Sequence, residues 1–278
     1  MQEKIRKIIP YILIGMATVV AILIYLLAAN KRKEYSLYLF DRTFIKETVC
    51  LPIESKPKSP VNHYVSVEQE TGVRNAVSFV TLDSAHAFVA MVKSDSIPQS
   101  SGLYRYDPLH RKAYTDSCLC QFNLPDNYEN ALQRLLAYDS KISRLSDGFV
   151  LSFLHFSDVF VFDSHGKMRH HLRTKDNVPP PSIIKYQDYY LYERGKAFNT
   201  NMTAFVHKNK FYAFSLKTSS HLTQFLLDCY DINNNEYLYS FYIDNASREE
   251  NLYIENVAVK GDSVTIESRN STTIVKML

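Results

Sequence analysis

Four short runs within about forty residues decide the fold class: Thr203-Ala-Phe-Val, Lys210-Phe-Tyr-Ala-Phe, Gln224-Phe-Leu-Leu-Asp-Cys-Tyr and Glu236-Tyr-Leu-Tyr-Ser-Phe-Tyr. Each run is short and rich in aromatic or β-branched residues, which is typical of β-strands. Polar residues such as Lys208-Asn-Lys separate the runs and favour tight turns. The stretch therefore predicts four consecutive antiparallel strands.

The same rhythm recurs on both sides of this stretch. A clear copy runs from residue 144 to 173, a looser copy from 76 to 118, and a degraded copy begins near Ile183. The C-terminal segment supplies only three strands, beginning at Asn256, Ser263 and Thr272. We expect the N-terminal segment around Thr43 to Leu51 to supply the missing outer strand, because this pairing removes an exposed sheet edge.

Turn signals support this division into strands. Five tight polar turns predict β-hairpins, at Asp83-Ser-Ala, Ser146-Asp-Gly, Gln187-Asp, Lys208-Asn-Lys and Gly261-Asp-Ser. An aromatic–Asp step ends four of the predicted strands, at Phe40-Asp41, Tyr106-Asp107, Phe162-Asp163 and Tyr230-Asp231. We interpret the aspartates of the turns as turn residues rather than as calcium ligands or catalytic groups, because Asp side chains accept hydrogen bonds from turn backbone. They are Asp83, Asp107, Asp147, Asp163, Asp188, Asp231 and Asp262.

The repeat over most of residues 35–278 resembles the six-bladed β-propeller proteins of Bacteroidetes, which belong broadly with NHL-like and TolB-like propellers. The resemblance implies an all-β domain over 35–278, a β-propeller of five or six blades; an irregular pair of β-sandwiches is the structural alternative. One short helix is expected after Asp126, where Tyr128 begins a helical spacing. A loop is expected over 54–60.

An uncharged apolar run of 22 residues lies near the N-terminus, from Ile8 to Ala29. As a helix it would extend roughly 33 Å, enough to cross a hydrocarbon core of about 30 Å. We expect a cytoplasmic tail at 1–7, a single transmembrane helix at 8–29 in contact with the lipid bilayer, and a linker at 30–34. A cleaved signal peptide is the alternative.

The orientation of this anchor follows from length rather than charge. Three basic residues flank each end of the span, so the positive-inside count is tied. A short tail stays in the cytoplasm more simply than a domain of 244 residues does, so we predict a signal-anchor with the domain periplasmic or extracellular. The net charge of +3 and scattered basic residues predict no nucleic-acid partner. We expect a protein partner in the cell envelope.

Motifs for chemistry are absent from the sequence. It contains no nucleophile elbow, phosphate-binding glycine loop or His-Glu-x-x-His segment. Cys118 and Cys120 lack a second Cys or His pair at zinc spacing, so we interpret them as free thiols. His170 and His171 point to opposite faces of one strand, and His165 lies in a turn. We therefore predict no catalytic residue, metal or cofactor.

Tyrosines are the remaining candidates for function. The chain contains 20 Tyr and 16 Phe, and alternating strands expose about half of such residues. Exposed tyrosines bind well because their large rings lose little rotamer entropy. We predict an interaction surface that includes Tyr189, Tyr190, Tyr192, Tyr237 and Tyr239. The leading hypothesis is a non-enzymatic binding or accessory module tethered to the membrane; the alternative is a propeller hydrolase or lyase acting on glycan or peptide in a central channel.

Overall fold

A computed structural model describes residues 20, 25, 42–45, 49–57, 66–94, 100–122, 127–193, 200–215, 224–244, 254–268 and 271–278. The chain divides into two compact units, 1–42 and 43–278, and every described strand belongs to the second. The predicted tail and linker lie outside the described residues, as does the predicted span except for Val20 and Tyr25. In the part of the chain that is described, no helix has the length and apolar character needed to cross a bilayer.

Strands make up most of the described part of the second unit. They are β1 (Cys50–Pro57), β2 (Ala76–Thr81), β3 (Ala87–Met91), β4 (Gly102–Asp107), β5 (Lys112–Gln121), β6 (Ser140–Arg144), β7 (Gly148–Phe153), β8 (Asp158–Asp163), β9 (Met168–Arg173), β10 (Ile183–Tyr186), β11 (Tyr189–Tyr192), β12 (Asn201–His207), β13 (Lys210–Ser215), β14 (Gln224–Asp231), β15 (Glu236–Asp244), β16 (Ile254–Lys260), β17 (Ser263–Ser268) and β18 (Ser271–Met277). The prediction of an all-β domain is confirmed.

Two short helices accompany these strands, α1 (Val67–Thr71) and α2 (Ala131–Ala137). Helix α2 confirms the helix predicted near Tyr128, but the predicted start is wrong. The N-cap is Asn130, whose side-chain oxygen accepts a hydrogen bond from Gln133 N at 3.1 Å. The residue that was expected to begin the helix, Asp126, lies outside the described residues.

Consecutive strands form antiparallel meanders. β2–β5 and β12–β15 each make a four-stranded sheet in chain order, and β6–β9 follow one another in the same way within a larger sheet. These groups confirm the copies predicted at 76–118 and 144–173 and the four strands predicted from the runs beginning at Thr203, Lys210, Gln224 and Glu236. Within the described residues, the degraded copy near Ile183 has two strands, the hairpin β10–β11.

The N-terminal strand completes the last group. β1 pairs antiparallel with β18, which follows β17 and β16 in the sheet order. The prediction of an N-terminal outer strand is confirmed, but the strand begins at Cys50 rather than near Thr43, and the loop predicted for 54–60 is wrong as far as Pro57. β1 lies at a sheet edge, where the missing N–H of Pro52 and the irregularity that follows it are tolerated.

The described strands thus form five repeats, four with four strands and one with two. A single parallel pair, Ala258 opposite Arg144, joins β16 to β6 and links two of the repeats into an eight-stranded sheet. The sheet order runs from β1 at one end to β9 at the other, and no described sheet closes on itself.

Aromatic packing between the repeats positions the hairpin. β7 and β8 are buried along nearly their whole length, as expected for strands covered on both faces. The ring of Phe149 stacks on Phe88 at 5.1 Å and on Phe162 at 4.9 Å. Ile183 of β10 and Ala137 of α2 belong to the same buried cluster. This cluster therefore fixes one face of the hairpin against the β6–β9 strands.

Candidate functional site

Hairpin β10–β11 presents four exposed apolar side chains on one face. Ile184 is 43% exposed, Tyr186 59%, Tyr189 68% and Leu191 49%. In the strand register, Ile184 lies opposite Leu191 and Tyr186 opposite Tyr189. The four residues are therefore two neighbouring cross-strand pairs. They form the hairpin patch.

The opposite face of the hairpin packs inward. Tyr190 and Tyr192 are partly buried against the cluster that contains Ile183. The Tyr190 hydroxyl accepts a hydrogen bond from Asn130 Nδ2 at 2.7 Å, and the Tyr192 hydroxyl lies 2.8 Å from the carbonyl oxygen of Leu136. These contacts hold the hairpin in place, so that the patch faces solvent on a supported element.

Tyr237 and Tyr239 lie on β15, in a different sheet from the hairpin. Both are partly buried. The Tyr237 hydroxyl lies 2.7 Å from Ser240 Oγ, and Lys210 Nζ donates to the Tyr239 hydroxyl at 3.1 Å. Of the five predicted tyrosines, only Tyr189 contributes a largely exposed ring. Ile184, Tyr186 and Leu191 were not predicted from the sequence, because both faces of this hairpin carry apolar residues and alternation alone does not say which face is buried.

The outer edge of β11 is a second property of the hairpin. The turn has two residues, so Tyr186 and Tyr189 exchange backbone hydrogen bonds across it. Along the two strands away from the turn, hydrogen-bonded residue pairs then alternate with pairs that are not hydrogen-bonded. Glu193 N donates to Ser182 O at 2.9 Å, which fits this alternation. The backbone groups of Tyr190 and Tyr192 therefore point away from β10. Among the described strands, none pairs with this edge.

A polar recess at the start of β6 is a separate candidate. It comprises Asp139, Lys141 and, from the adjacent β16, Glu255. Asp139 keeps contact with solvent, yet burial among protein atoms raises its pKa. Neighbouring protein atoms therefore surround a carboxylate that still contacts solvent. Burial also lowers the pKa of Lys141 to about 8, although the negative charges of Asp139 and Glu255 act to raise it.

The chemistry available in this recess is proton transfer. A lysine with a pKa near 8 is partly neutral at neutral pH and can act as a base or a nucleophile. The Tyr192 hydroxyl lies 2.7 Å from His155 Nε2, and its pKa is raised by burial and then by the charge of Asp139. This recess was not predicted from the sequence, because nothing in the local sequence distinguishes Lys141 from other strand lysines. Its surroundings depend on β16, which packs beside it.

The aspartates that end strands serve the turns. Asp107 Oδ1 accepts from Leu109 N at 3.0 Å and from His110 N at 3.1 Å, and Asp163 and Asp231 bond their own turns in the same way. The interpretation as turn residues is confirmed for Asp107, Asp163 and Asp231. All four cysteines are free thiols. In the described ranges, no three His, Cys, Asp or Glu side chains are grouped so that they could hold a metal ion.

Comparison with known proteins gives no family. No protein-family model matches the chain, and no curated protein matches it. Among solved structures, BamB from Moraxella catarrhalis matches at 6% identity with a TM-score of 0.35, over 74% of this chain and 60% of BamB. A member of the DUF4221 family from Bacteroides vulgatus matches at 11% identity with a TM-score of 0.34, over 71% of this chain and 62% of that protein.

The glutaminyl cyclase of Myxococcus xanthus matches at 9% identity with a TM-score of 0.27, over 82% of this chain and 97% of the cyclase. The chain spans only about three fifths of the length of BamB and of the DUF4221 protein. At these identities and TM-scores, the similarities assign neither a family nor an activity.

Proposed function

We propose that this protein is a membrane-tethered binding or accessory module of the cell envelope, and that the hairpin patch contacts its protein partner. The observation that carries the proposal is the exposure of Ile184, Tyr186, Tyr189 and Leu191 on one face of a supported hairpin. An apolar patch of a few hundred Å² is often an interaction site. The two tyrosines add rigid rings that bury large areas on binding.

The free edge of β11 adds a mode of binding. An extended peptide can pair with outward-pointing backbone groups and place its side chains over an adjacent apolar face, which is β-augmentation. Counted over the described strands, each of the other repeats has four and the hairpin has two. A strand contributed by a partner would extend the two-stranded sheet to three strands, closer to the four strands of the other repeats.

The proposed architecture is a β-propeller with five repeats, in which β10–β11 is an incomplete blade. Four-stranded meanders and the N-terminal strand in the last sheet support it. We propose that residues 8–29 anchor the domain in the lipid bilayer and that it lies outside the cytoplasm. Confinement to a membrane raises the effective concentration towards other membrane proteins, so a modest patch suffices.

Co-purification from detergent-solubilised membranes tests the interaction. We compare the wild type with a Tyr186→Ser/Tyr189→Ser variant and with Leu109→Ser, a control that removes another exposed apolar side chain, 84% exposed, from a turn distant in sequence. Bound proteins are identified and quantified by mass spectrometry. We expect the patch variant to lose its partner by about tenfold or more, or about 1.4 kcal/mol. Equal recovery in all three samples contradicts the proposal.

A second candidate function is proton-transfer chemistry on glycan or peptide in the polar recess. It is favoured by the lowered pKa of Lys141 between Asp139 and Glu255. Turnover assays with glycan and peptide substrates compare the wild type with Lys141→Gln. Turnover that the substitution abolishes supports an enzyme, whereas the absence of turnover in the wild type leaves the binding module as the function.

A further inference from the structure

Two turns from neighbouring repeats bring a pair of imidazole rings together. His86 ends the turn between β2 and β3, and His165 lies in the turn between β8 and β9. Their ring centroids are 5.1 Å apart, and the ring planes meet at 79°. The two histidines are 79 positions apart in the sequence, so only the packing of one repeat on the next brings them together.

His86 is held by its own turn. Asp83 Oδ1 accepts hydrogen bonds from Ala85 N at 2.8 Å and His86 N at 2.9 Å. Nδ1 of the His86 ring donates to Asp83 Oδ2 at 2.9 Å. The carboxylate therefore fixes the tautomer with the lone pair on Nε2, as carboxylates do for metal-binding histidines.

The backbone of His165 is also held by its turn. Asp163 Oδ1 accepts from His165 N at 2.9 Å, and the next residue, Gly166, has φ +80°. A Cβ at Gly166 would lie 2.5 Å from Phe88 Cε1, so this turn packs directly against the first repeat. His165 Nδ1 lies 3.3 Å from Ser164 Oγ, so that Nε2 is the ring nitrogen with no hydrogen bond among the described contacts.

The separation of the rings fits chelation. A tetrahedral ion bound at about 2.0–2.1 Å from each nitrogen lies roughly 3.2 Å from each ring centre, which puts the two centres about 5 Å apart. The observed separation of 5.1 Å is compatible with this value, and it also lies in the ordinary range of an edge-to-face ring contact. Imidazole favours zinc, copper and nickel over calcium or magnesium.

We propose that His86 and His165 form a binding site for a divalent transition-metal ion of the zinc, nickel or copper class. The ion links sheet β2–β5 to strands β6–β9. Within the described residues, no third His, Cys, Asp or Glu completes the set. Water or an external donor therefore fills the remaining positions, and the ion exchanges readily.

The chain contains a matched control. His110 has the same Asp-x-x-His turn as His86, with Nδ1 donating to Asp107 Oδ2 at 2.7 Å. Its side chain is 72% exposed, and within the described ring contacts no second imidazole lies against it. It therefore reproduces the local bond of His86 without the partner ring.

Isothermal titration of the full-length chain with zinc sulfate tests the site. The protein is purified in detergent without a histidine tag, as wild type, His86→Gln, His165→Gln and His110→Gln. We expect one ion per wild-type chain and the same affinity in His110→Gln. Either of the other substitutions should weaken binding by about tenfold or more. Bound zinc should also raise the Tm of wild type and His110→Gln, because an ion held only by the folded chain stabilises it.

An Asp83→Asn variant extends the test without removing a ligand. It should bind zinc about 10–100-fold more weakly, because the carboxylate that orients His86 is lost. Circular dichroism spectra without metal must match the wild type for each variant that is scored. The proposal is overturned if the wild type binds no zinc, or if His110→Gln loses binding to the same extent as the His86 and His165 variants.

Discussion

Single residues in the turns determine how closely the repeats approach one another. Gly166 has φ +80° and Gly261 has φ +59°. A Cβ added at Gly166 would collide with the Phe88 ring, whereas a Cβ added at Gly261 would have nothing within 4 Å. Both backbones lie in the left-handed region, which costs other residues about 1 kcal/mol. Only Gly166 adds a steric contact with a neighbouring repeat.

The two glycines make a matched pair for measurement. Gly166→Ala should lower the free energy of unfolding by about 2–4 kcal/mol, since overpacking adds to the backbone cost, while Gly261→Ala should lower it by only about 1 kcal/mol. Urea unfolding followed by tyrosine fluorescence measures both, because the chain has no tryptophan. Equal effects would show that the Gly166 turn does not pack on Phe88.

Lys141 gives a pH-dependent prediction. Its pKa of about 8 lies below the ordinary lysine value, whereas hydrogen bonding to Tyr239 raises the pKa of Lys210. Acylation of lysines, followed by peptide mass spectrometry, should give a midpoint near pH 8 for Lys141 and a much higher midpoint for Lys210. Asp139→Asn should move the Lys141 midpoint lower still, because the carboxylate favours the charged amine. Identical midpoints for the two lysines contradict the assignment.

The lowered pKa of Lys141 also predicts how the free energy of unfolding changes with pH. The unfolded chain has an ordinary lysine pKa of about 10.4, so between about pH 8 and that value it binds more protons at Lys141 than the folded chain does. The contribution of Lys141 to the free energy of unfolding therefore rises with pH through this window. Lys141→Met should remove that part of the rise in pH-dependent urea unfolding.

Among the elements, the hairpin β10–β11 differs from the other repeats. Ile183 and the inward tyrosines anchor it, while its outer edge has no described partner strand. An edge strand with free backbone groups is a site for pairing with another chain. The hairpin was predictable from Gln187-Asp188 and its flanking residues. That the described residues of this copy form two strands rather than four was foreseen only as a degraded copy.

Hydrogen exchange tests the proposed edge. The amide protons of Tyr190 and Tyr192 should exchange much faster than those of Tyr189 and Leu191, because the latter donate across to β10. NMR or fragment-resolved mass spectrometry gives the exchange rates of all four amides. Because the four residues lie on one strand, the inward-bonded amides serve as controls for the outward-pointing ones. Equal protection at all four positions would mean that β11 has a partner on its outer side.

At the scale of the whole molecule, the predicted anchor is tested by fractionation. The full chain should remain with membranes after an alkaline carbonate wash, because about 20 apolar residues suffice to span a bilayer, and a chain that begins at residue 35 should be released. Protease added to intact spheroplasts should digest the domain while a cytoplasmic protein survives. Release by salt alone, or protection of the domain, contradicts the anchor or its orientation.

Much of the fold was predictable because local chemistry encodes it. Alternating aromatic and β-branched runs marked three four-stranded groups, and the polar turns marked all five predicted hairpins. Aspartates such as Asp107 were correctly assigned to turns. The limits of β1 were missed, because Pro52 and the prolines that follow it indicate a loop locally, and only pairing with β18 makes this segment a strand.

The sequence by itself determined the fold class, the strand rhythm and the positions of the turns, because these depend on side chains only a few residues apart. The tertiary structure alone decided which face of β10–β11 is exposed, that Lys141 lies beside β16, and that His86 meets His165. Each of these depends on contacts between residues far apart in the chain. Such contacts follow from how whole sheets pack, and no local pattern records that packing.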